Sequence, residues 1–196
     1  SDAIKKLCSS KSKVSSHYFI RTNGELLNLV PDLYKAWHAG ESRWKKFKSL
    51  NKYSIGIEIN NPGHEFIYKK YSFKQISTLI RLLDKLKKKY KIKKQNILGH
   101  SDISPDRKKD PGEKFPWKKL AKKKLCKWHT LEESKIKFYR YLKLDKNNEK
   151  LFFKNLSKFG YSEIFSVRNR YKKIDLIKAF QRRFRQSLIN GKIDKE

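Results

Sequence analysis

Residues 53–60, Tyr-Ser-Ile-Gly-Ile-Glu-Ile-Asn, alternate strictly between apolar and polar or small side chains. Tyr53, Ile55, Ile57 and Ile59 share one face, and Ser54, Gly56, Glu58 and Asn60 share the other. That pattern predicts a half-buried strand presenting one carboxylate. Gly56 beside it leaves room for something to sit against Glu58. Asn61-Pro62-Gly63 ends the strand. Residues 17–30 predict a hairpin: a strand from His17 to Arg21, a two-residue Asn23-Gly24 turn, and a return from Leu26 to Val30. A loop follows from Lys35 to Lys52 and carries Ala36-Trp37-His38-Ala39-Gly40.

The period changes at Ser72. Ser72-Phe-Lys-Gln75 has the spacing of a capping box, and Ile76, Leu79, Ile80, Leu83 and Leu86 follow at helical spacing. Arg81 to Lys94 forms a basic exposed face. Ile97-Leu98 reads as a short strand ending at Gly99-His100, and Pro116 suits the first turn of a short helix through Lys124. Composition shifts over residues 125–148. Two helical stretches, 149–159 and 174–185, then predict a small appended module. At roughly 50 residues such a module barely sustains its own core.

The 196 residues allow one domain plus a small appendage, and 37% hydrophobic content excludes a fully disordered chain. No apolar run reaches the roughly 18 residues of a membrane span, and no signal peptide is visible. Cys8 and Cys126 are the two cysteines, which excludes a disulfide framework and a cysteine-only zinc site; one bridge is conceivable, but two free thiols are expected. There is no Met, and the chain opens at Ser1, so it reads as processed or as a fragment. Fifty basic against 19 acidic residues give a net charge of +31. Such a charge attracts an anionic partner: nucleic acid, an envelope polymer or an acidic membrane. Forty of the 50 are Lys, dispersed along the chain, as a solvated lysine-rich surface also gives.

Five histidines occur, at 17, 38, 64, 100 and 129, with no His-Glu-x-x-His or close pair. His100 stands out, because it opens a polar loop at the end of a predicted strand. That loop, Gly99-His100-Ser-Asp-Ile-Ser-Pro105-Asp-Arg-Lys108-Lys-Asp110-Pro-Gly112, resembles the zinc-site loop of the N-acetylmuramoyl-L-alanine amidases of the AmpD/AmiD type. Val14-Ser-Ser-His17-Tyr18, Ala36-Trp37-His38-Ala39-Gly40 and Ser54-Ile-Gly-Ile-Glu58 are similar to the family's phrases in the same order, so the resemblance spans residues 14–117.

The resemblance implies an α/β fold, a mixed β-sheet flanked by helices related to peptidoglycan-recognition proteins. It implies Zn2+ held by His100 and Asp110, with a third ligand, a histidine of the first strand, expected upstream of Ser1. Residues 1–13 hold no histidine, and Ser1-Asp-Ala-Ile is expected to be the loop after that strand. Glu58 falls where the family has its general base and Lys108 where it has an oxyanion-stabilising cation. Trp37 and His38 fall on positions lining the substrate groove. His17 is expected to serve as a structural hydrogen-bonding residue and not as a ligand.

The tail, Ala179-Phe180-Gln181-Arg-Arg-Phe184-Arg185 with Asn190-Gly191-Lys-Ile193-Asp194, resembles part of a peptidoglycan-binding helical domain. Three segments follow: a catalytic domain over 1–128, a linker over 129–148, and a small all-α module over 149–196. The implied activity is hydrolysis of the amide between N-acetylmuramic acid and L-alanine in peptidoglycan or muropeptides. The alternative is a non-catalytic peptidoglycan-binding module with an incomplete metal site. The expected location is the bacterial cell envelope, with the cytoplasm as the other option; no specific nucleic-acid partner is expected.

Overall fold

A computed structural model describes residues 2–142, 144–161 and 170–195 of the chain. Its main sheet has the order β2-β1-β5: β1 (Tyr18–Ile20) is central, β2 (Leu26–Asn28) pairs with it antiparallel, and β5 (Ile57–Ile59) pairs with it parallel. The sheet is therefore mixed, as expected. Ile20 lies opposite Ile59, and Phe19 opposite Glu58. Paired residues point the same way, so Ile20, Ile57 and Ile59 share the core face and Glu58 lies on the other.

That core face packs on α2 (Phe73–Tyr90) and α4 (Trp117–Lys122). Ile20, Ile76, Leu79, Leu83 and Leu120 form one cluster with Phe115, Trp117 and Leu125. The period of Ile76, Leu79, Leu82, Leu83 and Leu86 gives α2 its buried stripe. Its capping box forms as the sequence predicts: Gln75 N–H donates to Ser72 Oγ at 3.1 Å, and Ser72 N–H to Gln75 Oε1 at 3.0 Å. A cap of this kind contributes about 1 kcal/mol.

Several local expectations change. The hairpin turn has three residues, not two. Arg21 N–H reaches Glu25 O at 2.9 Å, and Gly24 takes φ +87°, a conformation that disfavours a side chain. The 53–60 strand shrinks to β5, because Leu50–Lys52 forms a 3-10 turn that leaves Tyr53 62% exposed. Of Ser1-Asp-Ala-Ile, expected as a loop, Ser1 lies outside the described residues and Asp2-Ala-Ile forms the start of α1 (Asp2–Cys8). The 35–52 loop contains a ribbon of β3 (Arg43–Trp44) and β4 (Phe47–Lys48). Ile97-Leu98 pairs with no strand among the described residues; the Ile97 carbonyl instead accepts from Arg183 Nη2 at 2.9 Å and leads into α3 (His100–Ile103).

The 129–148 segment holds α5 (Glu133–Tyr141) and the start of α6 (Lys146–Phe159); α7 (Arg170–Phe184) follows. Residue 143 of that segment, and residues 162–169 and 196 of the 149–196 segment, lie outside the described residues. Leu156, Tyr161, Leu176 and Ala179 of the helical segment pack in one buried cluster with Ala39, Trp44, Leu50 and Ile103. The helices thus share a core with the sheet-bearing part, which is how so short a segment buries its apolar faces. Cys8 is exposed, Cys126 is buried, and both are free.

Candidate active site

Glu58 sits on the face of β5 that the alternation assigns it, away from the isoleucines. It keeps an exposed surface, but protein surrounds it closely enough to strip part of its hydration. That desolvation is the main cause raising its carboxyl above the ordinary range. The His100 and Lys108 charges oppose it and the Asp110 charge adds to it. Glu58, His100, Lys108 and Asp110 are thus electrostatic neighbours, although 50 residues separate Glu58 from Lys108.

His100 and Asp110 meet directly through Nδ1 and Oδ2. Ser101 N–H, donating to Asp110 O at 2.9 Å, closes the loop that carries both. On its other side, His100 Nε2 lies 2.7 Å from the backbone oxygen of His38. A carbonyl only accepts, so Nε2 carries the proton. The Nδ1 lone pair and a carboxylate oxygen then face each other, and a proton or a cation must lie between them. Burial alone would push His100 down, but the Asp110 hydrogen bond and charge hold it above its ordinary value. Burial likewise works against Asp110, yet the His100 bond and charge, with Lys108, hold that carboxyl low.

The 36–40 loop is fixed from three directions. Asn51 Oδ1 accepts from His38 N at 3.0 Å and from Ala39 N at 2.7 Å. Arg107 Nη2 donates to Ala39 O at 3.1 Å and Glu41 O at 2.7 Å, tying this loop to the His100 loop. Ser15 Oγ accepts from Trp37 N at 2.9 Å. The His38 ring faces Ser54 O at 3.3 Å, and burial, then the His17 and His100 charges, lower its pKa to about 4. The ring fills the space over Gly56, where a Cβ would stand 2.2 Å from His38 Cγ. The room that the sequence reading left beside Glu58 is therefore occupied, at Gly56, by the protein's own histidine. Trp37 is 52% exposed, and Lys35 Nζ lies over one face of its ring, 3.9 Å from the centre.

His17 is buried, accepts from Gly56 N–H through Nδ1 at 3.0 Å, and donates through Nε2 to Tyr34 O at 2.9 Å. Both ring nitrogens are used, which fits the structural role expected for it. Lys108 is half-buried in the turn after α3, where its N–H donates to Ser104 O at 2.9 Å. Among the described residues, no group of three His, Cys, Asp or Glu side chains gathers as a metal site. Sequence reasoning passed over Asn51, Arg107, Tyr68 and Tyr71. The two tyrosines donate to Pro111 O, next to Asp110, at 2.6 and 3.0 Å. No local pattern marks any of the four, because each acts across at least 12 residues of chain.

The Amidase_2 profile, described as N-acetylmuramoyl-L-alanine amidase, matches residues 1–113. The chain is 34% identical to the N-acetylmuramoyl-L-alanine amidase AmiD of Escherichia coli, over 94% of this chain and 71% of that one. It is 38% identical to the 1,6-anhydro-N-acetylmuramyl-L-alanine amidase AmpD of the same organism, over 54% of this chain and 55% of AmpD. The fold superposes on E. coli AmiD in complex with anhydro-N-acetylmuramic acid-L-Ala-D-gamma-Glu-L-Lys with a TM-score of 0.86, at 32% identity, covering 99% of this chain and 79% of that one. AmpDh3 of Pseudomonas aeruginosa gives 0.83 at 29% identity, covering 98% and 81%. The AmiD and AmpDh3 matches take in the C-terminal helices as well as the sheet. A profile over more than half the chain and a relative matched over more than two thirds of its length agree with the His100 loop: the chain belongs to the N-acetylmuramoyl-L-alanine amidase family.

Proposed function

We propose that this chain hydrolyses the amide between the lactyl group of N-acetylmuramic acid and the L-alanine of the stem peptide, in muropeptides or peptidoglycan. The observation that carries the reading is the meeting of His100 Nδ1 and Asp110 Oδ2 beside Glu58. Their chemistry fits zinc: a neutral imidazole nitrogen and a carboxylate, with the other imidazole N–H anchored on a backbone carbonyl, as ligating histidines commonly are. The family resemblance implies a histidine as a third ligand beside these two. When bound, zinc supplies Lewis-acid polarisation and acidifies water.

Glu58 then takes the proton of the attacking water, a task favoured by its raised pKa, and returns it to the departing amine of L-alanine. Lys108 places positive charge where the carbonyl oxygen becomes an oxyanion. The half-exposed Trp37 ring receives an apolar or sugar face of the substrate. His38 lines the groove and holds His100 through its carbonyl. The appended helices, similar to a peptidoglycan-binding domain, support a location in the cell envelope. Among the described residues no helix is long and apolar enough to cross a membrane.

One observation favours a second reading, a non-catalytic peptidoglycan binder: among the described residues only two ligands converge. The test is mass spectrometry of products from an anhydro-muropeptide with zinc present. Release of stem peptide with a free L-alanine amine, reduced about 10²–10⁴-fold in Glu58→Gln, supports the amidase. Substrate binding without release, in a chain that retains zinc, supports the binder.

A further inference from the structure

Asp102 lies two residues after His100 and is 2% exposed, yet neither the proton path nor the ligand pair uses it. Its carboxylate is the centre of a buried network. Oδ2 accepts from Gly99 N–H at 2.8 Å, which fixes the residue preceding His100. The same oxygen receives Arg183 Nη1 at 2.6 Å, and Oδ1 receives the Tyr161 hydroxyl at 2.6 Å. Arg183 and Tyr161 are 1% exposed and belong to the helical segment, 81 and 59 residues further along the chain. Burial and the Asp102 charge keep the Tyr161 phenol protonated, so it stays a donor.

The network also reaches the other ligand-bearing stretch. Arg183 Nη2 holds Ile97 O at 2.9 Å, and its guanidinium stacks 4.0 Å from the Trp117 ring centre. Trp117 in turn backs Gly99, whose missing Cβ would stand 3.3 Å from Trp117 Cζ2 and 2.4 Å from Cδ of Pro111, next to Asp110. Buried, paired charges of this kind rigidify what they touch, and losing one partner is costly. Both Nη atoms of Arg183 are paired, and its buried Nε has no hydrogen-bond partner among the described residues. The paired groups hold the backbone at Ile97 and Gly99, on the N-terminal side of the His100–Asp110 loop.

We propose that Arg183 and Tyr161 are positioning residues for the metal-binding loop: acting through Asp102, the C-terminal helices set the geometry in which His100 presents Nδ1. The helical segment is then part of the active-site scaffold. The proposal rests on the metal-site reading above, but its primary readout is independent of metal.

That readout is amide hydrogen exchange at Gly99 and Ser101 in the metal-free full chain. The variants are Tyr161→Phe and Arg183→Lys, with Leu176→Ala as the control. Leu176 is buried in the same cluster and is no part of the network, so it reports loss of core packing alone. With thermal midpoints measured for all, Tyr161→Phe should speed exchange at both amides about tenfold, the effect of one lost buried hydrogen bond. It should also weaken zinc binding about tenfold by competition against a chelator, the scale of outer-shell effects. Leu176→Ala should change both only as far as its lower stability accounts for. Equal behaviour of Tyr161→Phe and Leu176→Ala overturns the proposal. If Arg183→Lys does not fold, Tyr161→Phe decides. If His100→Ala keeps wild-type zinc affinity, the metal reading fails, and exchange at Gly99 still decides whether the helices position this loop.

Discussion

Asn51→Ala removes one oxygen and leaves two amides without a partner. Asn51 is 9% exposed, and its Oδ1 accepts from Ala39 N–H in a buried bond of 2.7 Å and from His38 N–H in a half-buried one of 3.0 Å. A buried donor left unmet costs about 1–3 kcal/mol, and a half-buried one less, so roughly 2–4 kcal/mol is expected in total. For a chain of this size that corresponds to roughly 5–15 °C in the thermal midpoint. Urea and thermal unfolding measure it. Asn51→Asp keeps the acceptor and should lose less than half as much. The functional consequence runs through the same peptide: the His38 carbonyl, 2.7 Å from His100 Nε2, loses its support, and metal affinity should fall about 10–100-fold. An Asn51→Ala variant within about 0.5 kcal/mol of wild type, the ordinary range for an inconsequential site, would refute the reasoning.

Gly56→Ala places a methyl 2.2 Å from His38 Cγ and should destabilise by about 1–3 kcal/mol, the cost of overpacking. The double variant with His38→Ala should recover part of that loss, and strict additivity in the double-mutant cycle would contradict the steric account. Asp32 accepts from Tyr18 at 2.6 Å, Tyr90 at 2.7 Å and Lys89 at 3.0 Å. Burial works against the Asp32 carboxylate, but these bonds hold its pKa below the ordinary value. Its stabilisation is therefore complete above the unfolded pKa of about 3.9 and is lost as pH falls through the lower folded value. Asp32→Asn should cost about 1–3 kcal/mol at pH 7, and urea unfolding across pH should show the gap to wild type closing below about pH 4. A gap independent of pH would be wrong for this account.

The parts of the molecule legible in the sequence are those held by local rules. The Ser72–Gln75 box and its apolar stripe fix α2, and the alternation around Glu58 fixes which face of β5 carries the carboxylate. The Gly99–Gly112 phrase, through its resemblance, identifies His100 and Asp110, and the structure brings the two together. What stayed hidden depends on distant partners. The Tyr53 end of the predicted strand gives way to a turn that aims Asn51 at the 38–39 peptide. The run at Ile97 has strand-like residues but spends its carbonyl on Arg183, which is 86 residues away. Nothing near Asp102 in sequence announces that its partners are Tyr161 and Arg183. The apolar faces of α6 and α7 are visible as periodicity, but not that they close over Trp44 and Ile103.

On the proposed reading, His100 and Asp110 hold the metal and Lys108 does not. Zinc competition against a chromophoric chelator, run on wild type, His100→Ala, Asp110→Ala and Lys108→Ala, tests it most directly. Wild type should bind zinc, and His100→Ala and Asp110→Ala should abolish that binding. Lys108→Ala should leave it intact, while lowering the rate of stem-peptide release about 10²–10³-fold, as loss of an oxyanion donor does. Wild-type zinc retention in both ligand variants would contradict the account.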